Sequence, residues 1–506
     1  MVMARLVVVS NRVSVPLDDG SKRAGGLEVT LRPALARKGG IWLGWSGKVA
    51  ARDQLQTRRL SRKNVEYVVL DLSEDDYHEY YNGFANRVLW PILHYRLDLA
   101  EFAQRDLAGY FRVNDRFASE IEKVIEPDDV IWVHDYHLIP IGDALRRRGH
   151  ANRIGFFLHV PLPSPEVLTS LPNHERLMPL LLQYDLVGFQ TENDSANFVR
   201  YIMAETEGAS REMRMIQTSG NQITLGHNGQ RTRIGSFPVG IDPLAFQRLA
   251  RRNIRSPLVN EMVASLGGRA LVIGVDRLDY SKGLMQRLDA FDIFLANHRE
   301  WLGNVTYLQI APKNRSEIPD YLDLEQTAGA AAGRINGKYG EVSWTPIRYV
   351  NRVYGRSVLA GLYRTARVGL VTPLRDGMNL VAKEYIAAQD PEDPGVLILS
   401  RFAGAAISCR HALLVNPYNP ESVAGAIADA LAMPLEERRA RHKKLYAQVC
   451  VNDGAMWQRQ FLAALQEDGL EHELRRPVQS RTARPMPVPR MLRVPAAQDA
   501  AMLLWG

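Results

Sequence analysis

Cysteine is nearly missing from this 506-residue sequence: only Cys409 and Cys450 occur, far apart. That excludes a disulfide framework and a cysteine-based zinc site, and it fits a reducing compartment. No apolar run approaches the length of a membrane span. The opening "MVMARLVVVSNR" holds an apolar run too short for a signal-peptide core, so a cytoplasmic protein is predicted. The spacing G-x-G-x-x-G does not occur, which argues against a nicotinamide-dependent oxidoreductase. Neither an internal repeat nor a metal-ligand pattern is present. A basic body is lacking too. The net charge is +7, but residues 475–506 carry Arg475, Arg476, Arg481, Arg484, Arg490 and Arg493 against the single acid Asp499. The rest of the chain is close to neutral, so neither nucleic acid nor a membrane surface is an expected partner. The proline-rich segment 475–506 reads as a disordered tail.

What is present is a recurring alternation of short apolar runs and amphipathic stretches. The runs are "LVVVS", "EYVVLDL", "VIWVHD", "IGFFLHV" and "LVGFQT" in the first half. In the second half they are "ALVIGV", "VTYLQIA", "VGLVTPL", "GVLILS" and "ALLVNP". Runs apolar throughout, rather than alternating, describe strands covered on both faces. The fold class expected is therefore α/β, with two doubly wound Rossmann-like units facing a cleft. Proline and glycine interrupt the pattern in "RIGSFPVGIDP", residues 233–243. The predicted division is 1–238, 239–450, a helix in 451–474 returning to the first unit, and the tail.

The chemically loaded residues follow strand ends, where open α/β sheets bind ligands. In "DRLDYSKG", Arg277 and Lys282 offer a fixed guanidinium and a mobile ammonium, which together suit a diphosphate. The plainer alternative pairs Arg277 with Asp276 or Asp279 and leaves Lys282 in solvent. In "TPLRDGMNLVAKEY", a turn at Asp376-Gly377 leads into a helix whose free N–H groups favour an anion or a sugar hydroxyl. Asp376 is predicted at the helix start, as cap, as ligand or as both. Glu384 lies further along, where a carboxylate can accept from a vicinal diol. Gly25-Gly26 before Leu27 allow close backbone approach. Trp45, Tyr81 and Trp90 stand among arginines and aspartates, as where pyranose rings are gripped, though tryptophans are usually core or interface residues and at least one of these two is expected to be so. His134 and His137, three apart, do not converge as metal ligands, whereas Asp135 and His159 suit a sugar hydroxyl or a base.

The motifs "VVSNR", "AGGL", "GWSG", "HDYHLIP", "GFFLH", "GFQTEND", "DRLDYSKG", "GRINGKYG" and "TPLRDGMNLVAKEY" occur in one order. In this the chain resembles the trehalose-6-phosphate synthase family, retaining glycosyltransferases of GT-B architecture, over roughly residues 5–470. The resemblance implies UDP-glucose as donor and glucose 6-phosphate as acceptor, with no metal and no other cofactor. It implies that Arg277 and Lys282 hold the diphosphate and Glu384 the ribose. Asp376, Gly377, Met378, Asn379 and Leu380 are implied around the donor glucose, with His159, and Gly26 near the phosphates. Arg277, Lys282, Asp376 and His159 are thus the expected catalytic set. Arg12, Arg315 and Tyr81 are implied at the acceptor phosphate, Trp90 and Asp135 at the acceptor sugar, and Trp45 on the adjoining wall. Family members often form dimers or tetramers, so a homo-oligomer is expected. Alternatives are a sister transferase using ADP- or GDP-glucose or glycerol 3-phosphate, and a catalytically silent sugar-phosphate sensor. No D-x-D-x-T phosphatase signature is present.

Overall fold

A computed structural model describes residues 5–13, 15, 31, 35, 39–206, 213–219, 222–227, 229–315 and 317–467. Gly26, its neighbours and the segment 475–506 lie outside the described residues. The first sheet comprises β1 (Leu6–Arg12), β2 (Gly40–Val49), β3 (Thr57–Arg62), β4 (Val65–Leu72), β5 (Val130–His134), β6 (Arg153–Phe157), β7 (Leu186–Phe189), β8 (Met213–Ser219), β9 (Gln222–His227) and β10 (Gln230–Ser236). The second comprises β11 (Ala270–Val275), β12 (Val305–Ile310), β13 (Ile347–Val350), β14 (Val368–Val371), β15 (Val396–Ser400) and β16 (Leu413–Val415).

The first sheet runs β3-β4-β2-β1-β5-β6-β7-β10-β9-β8 and the second β13-β12-β11-β14-β15-β16. The second is parallel throughout. In the first, only β3 and the β8-β9-β10 meander pair antiparallel. Burial on both faces explains the unbroken apolar runs. In β1, Val7 and Val9 enter one core while Leu6 and Val8 enter the other. In β11, Leu271 and Ile273 point to one face and Val272 to the opposite one. All ten apolar runs are strands, and the α/β expectation holds.

Each sheet reverses its winding direction once. The first does so at β1/β5 and the second at β11/β14, the points where an open sheet leaves a crevice beyond its strand ends. The helix Gly454–Gln466, capped by the Asp453 side chain accepting from Met456 N, lies on the first sheet after Leu445 and Val449 have packed against the second. Its Phe461 stacks on Trp132 with ring centroids 4.6 Å apart. Gly155 and Gly188 make room for it: a Cβ at either would stand 2.8 or 2.7 Å from the Phe461 ring. Burying an aromatic ring of this size contributes on the order of 4 kcal/mol.

Candidate active site

Between the two sheets lies a cavity of about 1110 Å³, and residues from both reversal points line it. On the first side these are Ser10, Asn11 and Arg12 at the end of β1, and His134 and Asp135 at the end of β5. Asp135 adopts φ 78°, a conformation costly for any residue with a Cβ and typical of functional turns. Its amide donates to Phe157 O at 2.8 Å, and its Oδ1 accepts from His159 N at 3.2 Å. The strained turn thereby joins β5 to the loop after β6. His159 and His134 share a hydrogen bond of 3.1 Å between Nε2 and Nδ1.

Across the cavity, the loop after β11 carries Arg277 and Lys282. Here the plainer alternative fails, because the aspartates are taken by others. Asp276 pairs with the wholly buried Arg287 at 2.6 Å. Asp279 Oδ1 accepts from Ser281 N at 3.0 Å and Ser281 Oγ at 2.9 Å, while Oδ2 faces Arg315 at 3.7 Å. Among the described residues, Arg277 has no carboxylate within hydrogen-bond or ion-pair distance; it lines the cavity, solvent-exposed. Lys282 is buried rather than solvated, and its Nζ meets Asp376 Oδ2 at 2.6 Å. Gly283, at φ 67°, turns the chain from this loop into the helix Leu284–Asn297.

The loop after β14 completes the second wall. Asn379, at φ 72°, caps the helix Leu380–Ala388 by accepting from Ala382 N at 3.2 Å. Asp376 is therefore not the cap, as expected in one reading, and its carboxylate is free for Lys282 and for Asn379 Nδ2 at 3.1 Å. Gly377 stands off the cavity lining. A Cβ there would fall 2.1 Å from His159 O, so the two walls touch at this point and only glycine fits. Met378, Asn379 and Leu380 line the cavity beside the open helix start. Glu384 lines it one turn on, its Oε1 held by Arg356 at 3.2 Å.

Aromatics and a buried arginine form the remaining corner. Trp90 donates Nε1 to Asp279 at 3.4 Å, and the Arg315 guanidinium lies 4.1 Å above its ring. Arg315 also donates to Tyr321 at 2.6 Å and to Tyr136 at 3.1 Å, while its Nε has no partner. Tyr81 stacks on His137 at 5.9 Å. Among the described residues both His137 ring nitrogens are buried without a partner, and the ring lines the cavity. Trp45 is not on the wall as expected. It is buried behind it, 5.5 Å from the Tyr81 ring and 5.7 Å from Arg12. Tyr81 and Trp90 reach one cavity because Tyr77–Leu89 is wound as a π-helix. At roughly 4.4 residues per turn, positions nine apart return to one face.

Burial governs the protonation of this site. It drives His159 down to about 3 and His134 well below 6.5, so both are neutral hydrogen-bonding rings at neutral pH. Burial raises Asp135 to about 6 against the pull of amide donors, Arg277 and Arg315. Burial raises Asp279 as well, but Arg315, Arg277 and Lys282 together hold it below its usual value. Residues to which sequence reasoning gave no site role thus prove to organise the site: Asp279 and His137, named only as a possible ion-pair partner and a rejected metal ligand, and Arg287, Tyr136 and Arg356. Asp279 inside "DRLDYSKG" and Tyr136 and His137 inside "HDYHLIP" were signalled by their motifs, whereas Arg287 and Arg356 were not.

The profile of glycosyltransferase family 20 matches residues 4–467. The chain belongs to glycosyltransferase family 20. Among similar family 20 proteins is a trehalose-6-phosphate synthase of Sinorhizobium fredii strain NBRC 101917 / NGR234, 51% identical over 462 residues. Those residues are 91% of this chain and 98% of that protein. Solved structures agree. A UDP-forming alpha,alpha-trehalose-phosphate synthase from Burkholderia xenovorans, in complex with glucose 6-phosphate, matches with TM-score 0.87 and 46% identity. It covers 92% of this chain and 100% of its own. An E. coli structure bound with UDP-2-fluoro glucose matches with TM-score 0.85 and 43% identity, over 92% and 99%. The architecture is GT-B, two Rossmann-like sheets facing one cleft.

Proposed function

We propose that this family 20 chain is a retaining glucosyltransferase that moves glucose from UDP-glucose to glucose 6-phosphate, giving α,α-trehalose 6-phosphate. The observation that carries the proposal is the convergence of cations on one crevice. Arg277 and Lys282 come from the loop after β11 beside an open helix start, and Arg315 comes from the loop after β12 beside Trp90. Two anionic substrates fit such a crevice, a diphosphate on the second sheet and a sugar phosphate in the aromatic corner. The substrates named for the relatives, a UDP-sugar analogue and glucose 6-phosphate, are of those two kinds.

Breaking the donor C1–O bond leaves negative charge on the departing phosphate. Arg277, which faces the Trp90 ring and has no carboxylate partner among the described residues, is free to meet it, and preorganised charge of this kind is the usual dominant contribution. Lys282 bridges towards the sugar through Asp376, whose second interaction with Asn379 fixes its direction. Retention follows from attack on the leaving-group face, with the departing phosphate accepting the acceptor proton. A protein nucleophile is not needed, and the two candidates are committed elsewhere: Asp376 to Lys282, and Asp135 to His159 N. Glu384, oriented by Arg356, is suited to the ribose hydroxyls, and neutral His159 to a donor hydroxyl. Arg12, Tyr81, Trp90 and Asp135 are suited to the acceptor. In this reading the enzyme works in the cytoplasm as a homo-oligomer on small molecules, without a metal. Among the described residues no helix is long and apolar enough to cross a membrane.

The test incubates purified protein with UDP-, GDP- or ADP-glucose, each with glucose 6-phosphate or glycerol 3-phosphate. The expected result is UDP release and a phosphorylated disaccharide from the first donor with glucose 6-phosphate. A product from another pair reassigns the substrates, and no glucosyl product from any pair refutes transfer. Arg315→Gln is expected to raise the KM for glucose 6-phosphate on the order of 100-fold, because a buried charge contact to phosphate is lost. The KM for UDP-glucose should stay within a few-fold. An unchanged acceptor dependence removes Arg315 from that corner.

A further inference from the structure

Next to Asp376 stands an arginine that no ligand reading has absorbed. The Arg375 guanidinium lies 4.0 Å from the centre of the Tyr95 ring and 4.9 Å from that of Phe402. Among the described residues, no carboxylate is within hydrogen-bond or ion-pair distance of it. Tyr95 belongs to the first-sheet side, just beyond the helix Trp90–Leu93, and is held at φ 61°. Its hydroxyl accepts from Ser164 N at 3.1 Å, on the loop that continues from His159. Phe402 belongs to the second-sheet side, after β15, and its own carbonyl accepts from Asp376 N at 3.2 Å. One planar cation is therefore clasped by a ring from each wall, one peptide away from the carboxylate that holds Lys282.

We infer that Arg375 is a positioning residue that couples closure of the cleft to the placement of Asp376 and Lys282. With both rings engaged, Arg375 is fixed from the far wall. Its backbone, anchored through Leu374 N to Ser281 O at 2.8 Å, then holds the loops after β11 and β14 together. With Tyr95 withdrawn, only Phe402 remains and the Asp376 turn loses its tie across the cleft. A flat guanidinium suits this clasp best, because it can stack its plane on both rings, whereas an ammonium meets them only as a compact, strongly hydrated point charge. The inference rests on the transfer reading above and concerns how its site is assembled.

The experiment is a double-mutant cycle of Arg375→Leu and Tyr95→Leu, with Arg375→Lys as the conservative variant. It reads kcat, the KM for UDP-glucose, Tm, and the radius of gyration by solution scattering with and without UDP. Each single leucine variant is expected to lower kcat/KM about tenfold, a desolvated cation–π contact's worth, with Tm changed little. The double variant should be no worse than either single one, and Arg375→Lys should recover only part. UDP should compact the wild type more than Arg375→Leu. Losses that multiply, or wild-type kinetics in either single variant, overturn the coupling. Wild-type protein that compacts with UDP yet yields no glucosyl product refutes the transfer reading instead and leaves the clasp standing. Should the leucine variants fail to fold, the Arg375→Lys kinetics decide: full wild-type rates overturn the inference.

Discussion

Arg277→Ala is expected to lower kcat on the order of 1000-fold, with Tm nearly unchanged. The two halves of that outcome come from one geometric fact. Arg277 is exposed to the cleft, and the aspartates beside it in sequence are occupied by Arg287 and Ser281. Removing it breaks no ion pair among the described residues, and substitutions at such surface positions usually change stability by about 0.5 kcal/mol or less. Losing a preorganised charge aimed at a developing anion, by contrast, typically costs a factor of about 100 to 1000. Lys282→Ala is a useful contrast. It strips the partner from Asp376, so rate and stability should fall together. Single-turnover kinetics with UDP-glucose, alongside a melting curve, separate the two cases. Transfer within threefold of wild type in Arg277→Ala would dismiss the charge-stabilisation mechanism.

Mild acid should unfold the protein well before its carboxylates titrate in bulk. Burial holds His94 at about 4, His159 at about 3, and His134 and His137 well below 6.5. These four rings stay neutral in the fold but take protons once unfolded. The unfolded state thus gains protons as pH falls through 6.5, and stability present above that value drains away below it. Each contributes up to about 1.4 kcal/mol per pH unit, so together roughly 5 kcal/mol per unit against a total of about 5–15 kcal/mol. Asp135 and Asp194, both raised by burial to about 6, oppose this. They bind protons in the fold before the unfolded chain does, so they favour the fold as pH drops from 6 towards 3.8. His442 is lowered too and adds to the loss, while Asp106, Asp276, Asp289, Asp320 and Glu384 are raised and oppose it at lower pH, so the loss is steepest just below pH 6.5, before the carboxyls take up protons. Tm should hold steady between pH 7 and 8, then fall steeply towards pH 5. His137→Phe, which keeps the stacking on Tyr81, should flatten the slope. A Tm that is constant down to pH 5 would contradict the assignment of these rings as neutral.

Much of the architecture was legible because both-face burial writes itself as continuous apolar runs, and all ten such runs are strands. The strand β2 was not legible. "GIWLGWSGKV" mixes glycine, lysine and tryptophan, and reads as a loop until β1 and β4 flank it. The β8-β9-β10 meander is too polar to announce itself. In the site, spacing after strand ends led to Arg277, Lys282, Asp376 and Glu384, because those positions depend only on chain order. The pairings did not follow from it. That Arg287 would claim Asp276 depends on how the next helix turns back on the loop, and that Arg356 would hold Glu384 depends on a helix arriving from elsewhere in the chain. The π-wound segment is a third kind of failure. Read with an ordinary helical period, Tyr81 and Trp90 fall on opposite faces, and nothing in "YYNGFANRVLWP" reports the wider turn.

The chain passes between its two sheets twice, once after β10 and once before the helix Gly454–Gln466, and the two passages lie against each other. Gly454 N donates to Ile241 O at 2.9 Å, and a Cβ on Gly240 would stand 1.9 Å from Asn452 O. Lys383, on the Glu384 helix, donates to Val239 O at 2.6 Å beside them. Two adjoining ribbons fastened in this way behave like the knuckles of a door. Such fastening favours a swing of the sheets about the line they share over sliding or free twisting. In the transfer reading proposed above, a donor held at Glu384 is thereby geared to the same pivot, and a bulky residue in place of Gly240 is expected to jam it from a distance.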